Sequence, residues 1–150
     1  MADNDKLHWA QDVLRVLERH LHPEGQPIDF EDPSPADSDD LPPLTPALED
    51  LLNTAIPIII SFTTHRNSSI AAMACYLKAM LLTSGNAGDF LPRDPRQAFK
   101  DFESAARGGE ARGWYRLGRD YESVGDMRRA SDCFERGRVR GDVECLYVSD

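Results

Sequence analysis

The chain is poor in the residues that build covalent, metal or catalytic devices. Its cysteines are three, Cys75, Cys133 and Cys145, and no two form a Cys-x-x-Cys pair. That pattern offers neither a zinc clamp nor a disulfide framework. Histidines are four, at positions 8, 20, 22 and 65. His20 and His22 stand two apart, a spacing that puts them on different faces of a helix, so no metal site is expected. No histidine is placed by the sequence beside a cysteine or serine that it could activate. The glycines at 85 and 88 lack both a following lysine and a preceding strand, so they make no phosphate loop. The expectation is a protein without catalytic residues, metal or cofactor, and therefore not an enzyme. A secretory leader and a long uncharged apolar run are also missing, which argues against membrane insertion and for a reducing, cytoplasmic setting with free thiols.

Basic residues are absent from one whole stretch. Positions 23–46 hold no Lys or Arg but seven acids, Glu24, Asp29, Glu31, Asp32, Asp37, Asp39 and Asp40, and seven of the ten prolines. Most of the formal charge of −9 is therefore local. With no concentrated basic stripe elsewhere, such a chain repels phosphate backbones, and nucleic-acid binding is not expected. The stretch has too little apolar content to pack, so residues 23–45 read as a disordered acidic, proline-rich linker. The remaining composition, with 41% apolar residues overall, suffices for one ordinary core.

What the chain does have is a repeated helical phrase. Ala111 set over Ala72 gives an offset of 39 that places Tyr115 on Tyr76, Gly118 on Ala79 and Tyr121 on Leu82. After a loop the offset becomes 32, with Ala130 over Ala98 and Phe134 over Phe102. The loops absorb the difference, since surface connections tolerate length changes cheaply. Small residues at 72, 79, 98, 105, 111, 118 and 130 recur beside Tyr and Phe, which predicts small-against-large packing between antiparallel helices. Asp94 before Pro95, and Asp126, are N-cap signals, while Gly109 and Gly141 are C-terminal stops. Continuing the offset puts Val143 and Tyr147 over Ala111 and Tyr115, the start of a third unit whose helix shows no cap, no glycine stop and no partner. This predicts a fragment of a longer protein or an end face covered by another chain.

Two further helices are expected upstream. Leu7, Ala10, Val13, Leu14, Leu17 and Leu21 trace one face from about Asp5 to Leu21, and Pro23 and Gly25 end it. Thr45 and Pro46 open the next helix, whose face is Leu48, Leu51, Leu52, Ala55, Ile56, Ile59 and Phe62. Pro57 lies inside it, which predicts a kink near residues 53–56 or, alternatively, a strand-like Ile58–Ile60. Asn67-Ser68-Ser69 matches a glycosylation acceptor but is read as a helix-start turn. The two helices are expected to form a degenerate hairpin capping the first repeat, for three hairpins in all, about the minimum for a self-supporting array.

The residues Asp94-x-x-x-Ala98-Phe99-x-x-Phe102-x-x-Ala105-Ala106-x-x-Gly109-x-Ala111 and Tyr115-x-Leu117-Gly118-x-x-Tyr121-x-x-x-Gly125 resemble Sel1-like repeats, a branch of the tetratricopeptide-like solenoids. The run from Ala111 to Gly118 is most similar to fungal members such as chitin-synthase regulators and cell-polarity or septation adaptors. Ala79 in place of Gly, and Gly137-Arg138 in place of Ala-Ala, depart from the pattern. The resemblance implies an all-α, right-handed α–α superhelix of about three helical hairpins, and a scaffold whose activity belongs to what it binds. It implies this organisation: an N-terminal helix over 1–22, the linker over 23–45, and a repeat domain over 46–150. The last comprises a cap helix 46–64, repeats 69–108 and 109–140, and the start of a third at 141–150.

Arg112, Arg116 and Arg119 fall at i, i+4 and i+7, with Arg128 and Arg129 near the following turn. The row reads either as a solvated helix face or, since first helices of such hairpins line the concave side, as a grip for an acidic or phosphorylated peptide of a protein partner. Asp29–Asp32 and Asp37–Asp40 would then compete for it. A rival expectation is homo-oligomerisation through Val143, Leu146 and Tyr147 at the end of the repeat.

Overall fold

A computed structural model describes residues 2–23, 42–142 and Cys145. The described residues form six α-helices and no strand: α1 Asp3–Leu21, α2 Pro46–Phe62, α3 Ser68–Ser84, α4 Pro95–Arg107, α5 Arg112–Ser123 and α6 Met127–Val139. A short 3₁₀ turn, Gly88–Phe90, interrupts the α3–α4 loop. The helix starts follow the cap signals. Thr45 accepts from the Leu48 N–H, Asn67 from those of Ser69 and Ile70, Asp94 from Gln97 and Asp126 from Arg129. Each cap satisfies a donor that the first turn leaves without an intrahelical partner.

The ends of α4 and α6 are built alike. Gly109 and Gly141 take positive φ, +108° and +86°, and the next N–H reaches back five residues, Glu110 to Ala105 O and Asp142 to Gly137 O, both at 2.9 Å. A side chain other than glycine is strained in that conformation. The 32-residue offset is thus visible in backbone hydrogen bonds.

Helix α2 continues through Pro57 to Phe62, so the strand-like alternative for Ile58–Ile60 is overturned. Burial explains this: Leu52, Ala55, Ile56 and Ile59 are nearly inaccessible to solvent, each worth roughly 1–3 kcal/mol, against about 3 kcal/mol for an interior proline. Pro57 and Asn53 one turn earlier are both exposed, so water reaches the carbonyl that loses its partner.

Packing follows chain order. α1 lies against α2, α3 against α4 and α5 against α6, while α2 meets α3 and α4 meets α5. α1 also touches α3. One continuous core runs from Leu7 in α1 to Cys133 in α6, with Tyr76 and Phe102 inside it in an edge-to-face pair at 5.9 Å. A satellite cluster joins Ala130, Phe134 and Cys145. Of the recurrent small residues all are buried except Ala111, which is half-buried, as is Tyr115. The small-against-large rule is strict at Gly118, where an added Cβ would fall inside the Phe134 ring.

The third unit starts with a cap after all. Asp142 Oδ2 accepts from the Cys145 N–H at 3.0 Å, and both residues are buried. The sequence hid this because Asp142 stands over Glu110 in the repeat and not over the cap signals Asp94 and Asp126. Cys145 presses on Gly137, which has no room for a Cβ. Gly137 thus compensates for Cys145 at the position that Gly113 occupies one offset earlier. Residues 24–41 of the expected linker over 23–45, and Val143, Leu146 and Tyr147, lie outside the described residues.

Candidate functional site

α5 positions the arginine row. Its buried side carries Gly113, Leu117 and Gly118, and Gly113 lets α5 approach α4 so closely that a Cβ would sit 2.9 Å from Ala106 N and 3.0 Å from Phe102 O. The opposite side therefore carries Arg112, Arg116 and Arg119 along one stripe, all half-buried. Arg128 and Arg129 are exposed on α6. The five arginines selected from sequence are divided between two helices.

Their partners differ. Arg112 forks onto Glu110, with Nε to Oε1 at 2.7 Å and Nη2 to Oε2 at 3.3 Å, and its guanidinium carbon lies 4.2 Å from the Tyr76 ring centroid. Burial opposes its charge, but the hydrogen bonds and charge of Glu110, with Tyr76 and Asp142 beyond, hold its pKa above the usual arginine value. Arg119 pairs with Glu122 at 2.8 Å, one turn on. Arg116 lies 6.0 Å from the Tyr115 ring centroid and offsets part of what burial does to Asp120, whose pKa is pushed up to about 6. Arg129 meets Asp126 at 3.6 Å. The row is thus a set of oriented, partly neutralised guanidinium groups rather than a bare positive stripe.

Sequence reasoning missed what lies beside it. A groove of about 220 Å³ opens between α1 and α3, with Leu14, Tyr76 and Met80 giving apolar wall and Arg15, Glu18 and Arg112 polar rim. Arg112 belongs to both the row and the groove. The signal for it was Leu14, a member of the α1 stripe that stays half-buried at the stripe's edge.

Burial pushes the Cys133 thiol up to about 11 and also raises Cys75, so both stay protonated and unreactive at neutral pH. Among the described residues no group of three or more His, Cys, Asp or Glu side chains could hold a metal ion. His20 and His65 have structural partners instead: His20 Nε2 meets Pro43 O, and His65 Nε2 meets Asp3 Oδ2, each at 2.8 Å. The His65 bond holds the Asp3 carboxyl below its ordinary range. No described helix is long and apolar enough to cross a membrane.

No family model and no solved structure matches the chain, so the Sel1-like resemblance rests on its repeat residues. A curated protein does: the chain is 29% identical over 144 residues to chitin synthase regulatory factor 4 of Schizosaccharomyces pombe. The match covers 96% of this chain and 20% of that protein, so the chain spans about a fifth of its relative's length. Along nearly all its length, this chain, all-helical among its described residues, is similar to part of a fungal regulatory factor.

Proposed function

We propose that the chain is a non-enzymatic adaptor module that binds a partner protein's peptide on the side where α1 meets α3 and Arg112 of α5 reaches over Tyr76. The reading takes the three hairpins as turns of a right-handed Sel1-like superhelix, with 46–64 as cap helix, 69–108 and 109–140 as repeats and 141–150 opening another. The observation that carries it is Arg112. Fixed by Glu110 and stacked on Tyr76, it joins the α5 row to the apolar groove, so one extended ligand meets apolar wall and guanidinium donors together. A surface that is rigid before binding loses little entropy when it binds. The similarity to a regulatory factor supports a role in which chemistry is left to the partner.

The ligand chemistry that fits is an acidic or phosphorylated peptide, recognised by Arg112, Arg116 and Arg119, with Arg128 and Arg129 beyond the turn. The test is a pull-down from fungal extract in which Arg116→Glu is compared with the unchanged chain, followed by identification of the proteins lost. The expected result is loss of a defined set of partners. An unchanged set would overturn the α5 row as the binding face.

A further inference from the structure

We propose that one flank of α6, carrying Arg129, Arg136 and Arg140, docks an extended acidic peptide of a partner protein whose carboxylates recur every third residue. The proposal rests on the adaptor reading and names a second surface and its ligand chemistry. Arg129 and Arg136, at i and i+7, stand about 20° apart around the helix, and Arg140, the residue after its end, falls about 40° from Arg136. The buried residues of α6, Ala130, Cys133, Phe134 and Gly137, centre on a face about a quarter turn away. From position 127 to 140 the chain has five arginines against two acids, Asp132 and Glu135, the most basic helix of an acidic protein.

Two of the guanidinium groups are held in place by aromatic rings of α5. Arg136 lies 5.2 Å from the Trp114 centroid and Arg129 5.8 Å from that of Tyr121. Trp114 and Tyr121 are themselves seven residues apart, and Tyr121 is braced edge-to-face by Phe99 at 5.5 Å. Each arginine also spends its Nε on a neighbouring carboxylate, Arg136 on Asp132 at 3.2 Å and Arg129 on Asp126 at 3.6 Å. The two side chains are 59% and 70% exposed. Stacking against a ring reduces the rotamer freedom an arginine loses on binding.

The spacing then selects the ligand. Seven helical residues advance about 10.5 Å. Three residues of polyproline II advance about 9.3 Å and bring the side chain back to the same side. An extended Asp-x-x-Asp segment therefore presents carboxylates in register with Arg129 and Arg136, whereas carboxylates two residues apart point to different sides.

The experiment is fluorescence anisotropy of the full chain at low salt with a labelled synthetic peptide of repeated Asp-Pro-Pro, beside an Asp-Pro repeat of equal charge. The Asp-Pro-Pro peptide is expected to bind tighter. Arg136→Gln should weaken it about fivefold, as for loss of one exposed charge-assisted contact, and Arg136→Lys only partly restore it. Arg96→Gln, an equal loss of charge at an exposed position of α4 outside both surfaces, should leave it unchanged. Equal affinity for the two spacings, or insensitivity to Arg136→Gln, overturns the proposal. Loss through Arg116→Glu alone would move the ligand to α5, leaving the adaptor reading standing without this second site. No binding by either peptide overturns the proposal too, while the pull-down still decides the adaptor reading.

Discussion

Arg112 lies over the face of Tyr76 at 4.2 Å, so a side chain from the third hairpin closes over an aromatic of the second. The contact crosses the boundary between repeats and is backed by the Glu110 fork. It holds neighbouring hairpins in a fixed relation while forming part of the groove. Structure and binding surface are therefore coupled at one residue.

Replacing Arg112 should loosen that junction. Arg112→Ala is expected to destabilise the fold by about 1–2 kcal/mol, combining a lost cation–π contact with a lost fork and lost side-chain packing. Arg112→Lys should recover only part of this, because an ammonium cannot satisfy both oxygens of Glu110 in one plane. Urea unfolding measures it. In a double-mutant cycle with Tyr76→Leu, a coupling energy near zero would show that the ring and the guanidinium act independently.

The α5–α6 seam should be intolerant of a single methyl group. Gly118→Ala drives a Cβ into the Phe134 ring, and overpacking of this kind costs about 1–3 kcal/mol. Phe134→Leu in the same chain should recover part of the loss by vacating the ring volume. If Gly118→Ala unfolds at the same denaturant concentration as the unchanged chain, the packing described for this seam is wrong.

A charge pair between half-buried Lys78 and buried Asp101 holds α3 to α4. Lys78 Nζ lies 3.2 Å from Asp101 Oδ2, and Gln97 donates to Oδ1 at 3.3 Å. The ammonium neutralises Oδ2 from a direction that makes no aligned hydrogen bond. Lys78→Met should destabilise by about 3 kcal/mol, since it strands a carboxylate that is only 7% exposed. Lys78→Met with Asp101→Leu should regain most of it. Thermal or chemical denaturation of the two variants checks the sign.

Asp120 should make stability fall as pH rises from about 4 to about 6. Burial raises its pKa from 3.8 to about 6 in the fold. Between those values the folded chain binds more protons than the unfolded one, so stability decreases with pH across the window and the penalty is complete above it. Asp120→Asn should remove that slope and stabilise the chain at pH 7, by on the order of 2 kcal/mol. Unfolding free energies at pH 4.5 and 7 for both chains test this; an unchanged slope in Asp120→Asn would assign the pH dependence to other groups.

Much of the fold was legible because repeats write their packing twice. Asp94 and Asp126 mark helix starts, Gly109 and Gly141 mark ends, and the Tyr and Phe positions recur with the small residues they pack against. The Asp142 cap was not legible, because the 32-residue offset sets Asp142 over Glu110 rather than over a cap signal such as Asp94 or Asp126. Pro57 left a kinked helix and a strand-like stretch both open, and the helix, which buries Ile56 and Ile59, is the one that forms. Among the candidate site residues, the α5 row was readable from i, i+4, i+7 spacing. Its Glu110 and Tyr76 partners were not, since Tyr76 is 36 residues away in sequence.

Local chemistry written in the sequence was enough to determine where helices begin and end, which faces turn inward, and where arginines line up, because caps and periodicity act over a few residues. Which arginine meets an aromatic ring, which carboxylate is buried beside a lysine, and where a groove opens were decided only in the tertiary structure. Those relations depend on distances between helices, and at Gly113, Gly118 and Gly137 a single missing Cβ sets how close two backbones, or a backbone and a ring, can come.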